Sequence, residues 1–440
     1  MMKNLDYRTK LIAILLYSAV LIGKAYAFFG LALGAVLIFE GKMFWRRWFN
    51  ALTQRGHPAG AFSWALLVSL LYGIAQVIRA WIVEEPIGTA LEILVFNLCP
   101  IYFWWGLWAG ARAPGMVRKY IRFVAWYTVI YTVLFFAFFQ GKSISLSGIL
   151  PGSNIDLLGA PGSGSSTLLG LLAYETHLGQ WWLPIIVLCC LTIANQERAD
   201  WLGLIVAVTL WGFLTRRIGR VMMVGAVIAS LLLVAYLVDL RLPAIEGRGG
   251  VLSARDTVAR MAASISPDLA QDVGSTVSNS QFYYGTVLWR KNWWAHISEE
   301  VSGSPLTIAF GLGYGYPLAE LAGHEVMATG TRSPHNIFFF AYGYSGLVGV
   351  AIFFWLQISL LVLLWRAFKV TGETYALTLF VYELLGAFFG NFLETPQGGI
   401  YIYVILGLIV GPALSQMEFD REPVPMEYSV NTSLLGSERL

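Results

Sequence analysis

Twelve apolar runs divide this 440-residue chain, and they dictate what it can fold into. They lie at about 11–23, 26–40, 61–80, 87–108, 121–139, 157–175, 180–194, 200–215, 219–239, 335–365, 374–391 and 397–414. About 20 consecutive apolar residues in helical form cross the hydrocarbon core of a bilayer. Lipid offers no hydrogen-bond partner to the backbone, so such runs must be helices that satisfy their own amides. Charge confirms the class: only 12% of the residues are Asp, Glu, Lys or Arg, against about 25% in soluble domains. The expected fold is an all-α polytopic membrane protein with about 12 transmembrane helices. Met1 to Lys10 is basic and runs straight into the first apolar stretch. No convincing cleavage site follows, so this stretch reads as an anchor that stays.

The basic residues act as topology signals. Lys42, Arg46, Arg47 and Arg55 crowd one connection, Arg112, Arg118 and Lys119 a second, Arg216, Arg217 and Arg220 a third, Arg366 and Lys369 a fourth. Loops rich in Lys and Arg stay cytoplasmic. All four fall on one side only if there are twelve spans with both chain ends cytoplasmic, which requires the weakly apolar 157–175 stretch to be a true span. Glu84, Glu85 and Glu394 then fall on the outer side. The division is residues 1–239 as helices 1–9, 240–334 as a periplasmic segment with amphipathic helices, 335–417 as helices 10–12, and 418–440 as a cytoplasmic tail. The net charge of +3 gives no nucleic-acid signal. Cys99, Cys189 and Cys190 sit in apolar runs, with no disulfide or metal framework.

The outer segment of about 95 residues is too long for a passive connector. Helical spacing runs through 251–263 and 281–300. In the latter, Phe282, Trp289, Trp293 and Ile297 recur at helical steps, which predicts a Trp-rich helix lying at the bilayer interface. Three groups of residues meet on this side if the topology holds. Arg198 stands at the outer end of a span, in Asn195-Gln-Glu-Arg198-Ala-Asp-Trp201. Arg290 and Trp294 lie in the long segment, followed by Ser304-Pro-Leu and Gly311-Leu-Gly313-Tyr-Gly315. Arg332-Ser-Pro-His335-Asn336 opens the next span, with Gly346-Leu-Val-Gly349 inside it.

Bland readings stand beside the functional ones. A single His at a span end is often only interfacial, Arg198 could snorkel, and Arg290 could pair with Glu299 or Glu300. The Gly311–Gly315 run resembles a phosphate cradle weakly and a tight turn better. His296, His324 and His335 fit no zinc spacing.

The order Arg near a span end, Arg-x-x-x-Trp, Pro-Leu with Gly-x-Gly, His-Asn opening a span, then Gly-Leu-x-Gly resembles the O-antigen ligase and polymerase superfamily of bacterial inner-membrane glycosyltransferases. The resemblance is tight over about 195–355. It implies a GT-C-like helical membrane fold, an undecaprenyl-pyrophosphate-linked glycan donor, a lipid A-core or glycan acceptor, and neither metal nor nucleotide sugar. His335 matches the catalytic His, and Arg198 and Arg290 match the pyrophosphate-facing arginines; Arg332, Asn336 and Trp294 are supporting candidates. Glu197 stands where the family usually has Ser. The chemistry agrees: Arg holds a diphosphate leaving group with a fixed fork, and His takes the proton of an acceptor hydroxyl. Ligase and polymerase differ only in the acceptor. A lipid-glycan flippase is the reading from another class, and it would place charges or helix breaks at mid-span in matched halves.

Overall fold

The computed structural model describes residues 41–42, 45–135, 138, 164–176, 182–194, 197–243, 251–263, 265–273, 277–323, 333–390, 393–394 and 396–419. The runs expected at 11–23 and 26–40, Arg332, His324 and nearly all of the expected tail lie outside these residues. Each of the ten remaining apolar runs is a helix. They are α1 (Gly60–Ile82), α2 (Ile87–Leu98) leading through a 3-10 turn into α3 (Tyr102–Arg112), α4 (Pro114–Leu134), α5 (Gly164–Thr176), α6 (Trp182–Ala194), α7 (Arg198–Leu214), α8 (Ile218–Leu237), and, after the long segment, α13 (Ile337–Thr371), α14 (Tyr375–Phe389) and α15 (Pro396–Phe419). The long segment holds α9 (Ala254–Ala262), α10 (Pro267–Asp272), α11 (Val277–Val301), α12 (Pro305–Phe310) and a 3-10 turn, Leu318–Ala322. Helix is the rule, with one departure among the described residues: strands β1 (Arg241–Pro243) and β2 (Val251–Ser253) pair antiparallel at the start of that segment.

Five described helices are long and apolar enough to cross a membrane: Gly60–Ile82, Ile87–Arg112, Ile218–Leu237, Ile337–Thr371 and Gly398–Met417. The chain is a multi-pass membrane protein. The expectation of twelve rests on more than length. Helices α5, α6, α7 and α14 have 13, 13, 17 and 15 residues, short of the ~20 that cross a bilayer unaided, and α4 carries Arg118, Lys119 and Arg122. The lipid-facing surface is plain on α8, which buries no residue and exposes Met222, Leu233, Val234 and Leu237.

Packing is tightest where α3 crosses α15. Gly106 and Gly110 face Gly407 and Gly411; a Cβ on Gly106 would lie 2.0 Å from the Val404 carbonyl, and one on Gly407 2.0 Å from that of Phe103. Small residues four apart let membrane helices approach to backbone contact.

The two ends of the bundle differ. At one end the four basic connections come together. Arg217 and Arg220 pair with Glu175 of α5 at 3.1 and 2.9 Å, Thr176 bonds Tyr375, Glu373 feels Arg118, and Arg366 donates to the Pro58 carbonyl at 3.3 Å. At the other end the long segment packs down. Arg79 of α1 donates to the carbonyls of Phe310 and Gly311 at 3.3 and 3.1 Å, at the C-terminus of α12.

The Trp stripe of α11 is not an interfacial face. Trp293 and Ile297 are fully buried, with Trp293 donating to the Leu318 carbonyl at 2.9 Å. The 3-10 turn at 318–322 and α13 cover the stripe, so it is protein core. The expectation of a bilayer-lying helix is corrected accordingly.

Candidate functional site

The site is organised by the start of α13. Asn336 is its N-cap: the side-chain oxygen accepts from the amides of Phe338 and Phe339 at 2.9 and 3.3 Å. Asn, Ser, Thr and Asp hold that position because they satisfy orphan N–H groups. Asn336 therefore fixes the helix start.

His335, just before the cap, has φ +54. A non-glycine residue in the left-handed region persists where surrounding contacts hold it. Four contacts do so here. The Trp294 indole donates to the Pro334 carbonyl at 2.8 Å and stacks on Phe339 with centroids 5.1 Å apart. The His335 amide donates to the Ser333 hydroxyl at 3.3 Å. The His335 ring stands edge-on to Trp289 at 5.8 Å. Trp294 is thus a positioning residue for the turn.

Behind this turn the Gly311 and Gly346 backbones interlock. Both have positive φ, and a Cβ on either would lie 2.4–2.5 Å from the other strand of backbone. The Leu312 amide donates to the Gly343 carbonyl at 2.8 Å. Gly346 breaks the helical geometry of α13. Gly311 and Gly346 therefore form a packing joint that seats the long segment on the helix following His335, while Gly313 and Gly315 lie against the Glu85 side chain, which argues against a phosphate cradle.

The arginines converge on the same place. Arg290 donates to the Phe389 carbonyl at 3.3 Å and lies over Trp289 at 5.4 Å, one residue along α11 from the indole that touches His335. Arg198, at the first turn of α7, donates to the Arg260 carbonyl at 3.1 Å. It lies within electrostatic reach of both Arg290 and Arg260. Three segments far apart in sequence thus supply two arginines and a histidine to one site. Burial depresses the His335 pKa from 6.5 to about 4; the Arg290 charge adds to this, and Glu197 opposes it. The imidazole is neutral at pH 7.

Residues 183–354 match the O-antigen ligase family model. This stretch is similar to O-antigen ligases over those residues. It contains α6 to α12 with the strand pair and the first half of α13, and hence Arg198, Arg290, Trp294, His335 and Asn336. No curated protein matches the chain.

One residue beside the candidate site escaped the sequence reading, where Glu394 served only as a topology marker. It is buried at the foot of the site, its carboxyl against the backbone N–H groups of His335 and Asn336 and within reach of the Arg290 charge. Neither oxygen closes a hydrogen bond of ordinary geometry among the described residues. Burial raises its pKa well above the usual carboxylate range, against the pull of those amides and Arg290. A second link was also missed: Tyr382 of α14 donates to Asp200 at 2.9 Å, tying the first turn of α7 to the helix that leads to Glu394. Among the described residues, no group of three or more His, Cys, Asp or Glu side chains is arranged to hold a metal, and the His296 ring bonds the Leu321 carbonyl.

Proposed function

We propose that this protein is a glycosyltransferase that moves a glycan from undecaprenyl pyrophosphate to an acceptor hydroxyl at the periplasmic face of a bacterial inner membrane, independently of metal. The observation that carries it is a neutral, half-buried imidazole set beside two arginines at the end of the bundle away from the basic connections. The positive-inside rule makes that end the outer one. The membrane-anchored donor would present its diphosphate there.

The reaction needs one bond made and one broken. The acceptor oxygen attacks the anomeric carbon while His335 takes its proton. The bond from that carbon to the phosphate oxygen breaks, and undecaprenyl pyrophosphate leaves with the electron pair. Arg198 and Arg290 hold the leaving diphosphate. A diphosphate is already a good leaving group, so no covalent nucleophile is required. The charge balance is self-consistent. An unliganded Arg290 disfavours imidazolium; a docked diphosphate neutralises that charge, so His335 becomes a better base only when donor is present.

The similarity to O-antigen ligases favours a lipid A-core sugar as acceptor. A polymerase reading keeps the same chemistry with another lipid-linked glycan as acceptor. The test is purified protein in liposomes with an undecaprenyl-pyrophosphate glycan and each acceptor, with and without EDTA. Product on lipid A-core, unaffected by EDTA, is expected. No product on either acceptor despite bound donor, or loss on chelation, overturns the proposal.

A further inference from the structure

We propose that a basic pocket at the opposite end of the bundle from His335 binds the phosphate headgroup of an anionic phospholipid. The pocket has a volume of about 1280 Å³ and is walled by residues 51–58, the first turns of α1, the last turns of α13 and Met417 of α15. This exceeds the ~300–1,000 Å³ of ordinary small-molecule pockets, so it has room for a headgroup and the start of its acyl chains. Arg55, Arg366 and Lys369 line it together with His57, and no Asp or Glu among the described residues does.

Its parts are held in place. Arg366 donates to the Pro58 carbonyl at 3.3 Å, a contact that uses one of five guanidinium N–H groups. Lys369 sits over Trp365 at 5.0 Å, and the Trp64 indole donates to the Leu52 carbonyl at 3.1 Å. Trp64 and Trp365 remain 49% and 42% exposed, as aromatic residues are at the headgroup level. A simpler account is that Arg366 and Lys369 complement the C-terminal dipole of α13 and fix topology. Topology accounts for the side on which Arg55, Arg366 and Lys369 lie, but not for their convergence from two separate segments on one cavity with no acid among its described lining residues. Cationic pockets between membrane helices on the cytoplasmic side suit anionic headgroups. The apolar and indole walls favour a lipid over a soluble phosphate compound.

The experiment is native mass spectrometry of the full-length protein released from nanodiscs containing phosphatidylglycerol and phosphatidylethanolamine. Wild-type protein should retain phosphatidylglycerol selectively, and millimolar inorganic phosphate should not displace it. Arg55→Gln with Lys369→Gln should lower retention by about 25-fold, or about fivefold for each cation removed. Arg55→Lys with Lys369→Arg should retain it, with unchanged thermal unfolding in both variants. Equal retention in the double Gln variant would show general annular lipid and overturn the site. Displacement by inorganic phosphate would overturn the lipid assignment.

Discussion

Replacing Arg290 with Gln should move the protonation of His335 upward in pH. Taking an imidazole from pKa 6.5 to about 4 means that the fold disfavours the imidazolium by about 3 kcal/mol. Burial is the larger cause and Arg290 the smaller, so losing the guanidinium charge should recover about one pH unit or less. Glu197→Gln should act in the opposite direction, because that carboxylate favours the charged ring. The assay is an NMR titration of ring-labelled histidine in detergent. The chain has five histidines, and the His335 signal is the one absent from His335→Asn. Stability follows by linkage. The folded state binds the His335 proton less tightly than the unfolded state does, so there is no penalty above pH 6.5. The penalty grows as pH falls from about 6.5 to about 4 and is constant below. His335→Asn should lose that part of the acid sensitivity. A His335 titration unchanged in Arg290→Gln would refute the electrostatic account of the site.

Three further outcomes are expected. Glu394→Gln, an isostere of the neutral acid, should retain most turnover, whereas Glu394→Ala should lose about 5- to 150-fold, the effect of about 1–3 kcal/mol from removing a buried polar group beside the His335 turn; equal loss in both would mean that the carboxyl works ionised. Gly346→Ala should destabilise the protein by more than about 2 kcal/mol, because its Cβ would meet the Ala309 carbonyl at 2.5 Å at φ +62; thermal unfolding in detergent reads this, and an unchanged midpoint would contradict the joint. Arg198→Lys keeps charge but loses the fork, so donor affinity should fall about tenfold in a lipid-diphosphate binding assay, and unchanged affinity would remove Arg198 from the diphosphate site.

Much of this was legible in sequence for identifiable reasons. Apolar runs become helices because lipid leaves the backbone no choice, and ten of them are helices here. The four basic connections share one end of the bundle, as the positive-inside count expects. His335, Arg198 and Arg290 were singled out by their place at the outer ends of elements and by the resemblance to the family's motif order, and the structure sets Arg290 near both His335 and Arg198. Asn336 was read as a supporting residue, and its capping role was legible too: Asn directly before an apolar run is an N-cap pattern. The α11 stripe was misassigned because the 3-10 turn that buries it lies 25 residues beyond Trp293 and carries no periodicity. Glu394 was illegible because a single acid in a short connector has no pattern; only folding sets it against the amides of residues 335 and 336. The α3–α15 glycines likewise gain meaning only when both helices are in contact.

The central claim is that His335 serves the transfer step while the arginines hold the donor. The most direct test is single-turnover product formation by His335→Asn in lipid, with undecaprenyl-pyrophosphate glycan, a lipid A-core acceptor and donor binding measured in parallel. Asn is the informative replacement because it tolerates the left-handed backbone better than Ala. Turnover should fall by about two to four orders of magnitude, with donor affinity unchanged. Near-normal turnover, or loss of donor binding in proportion to turnover, would contradict the account.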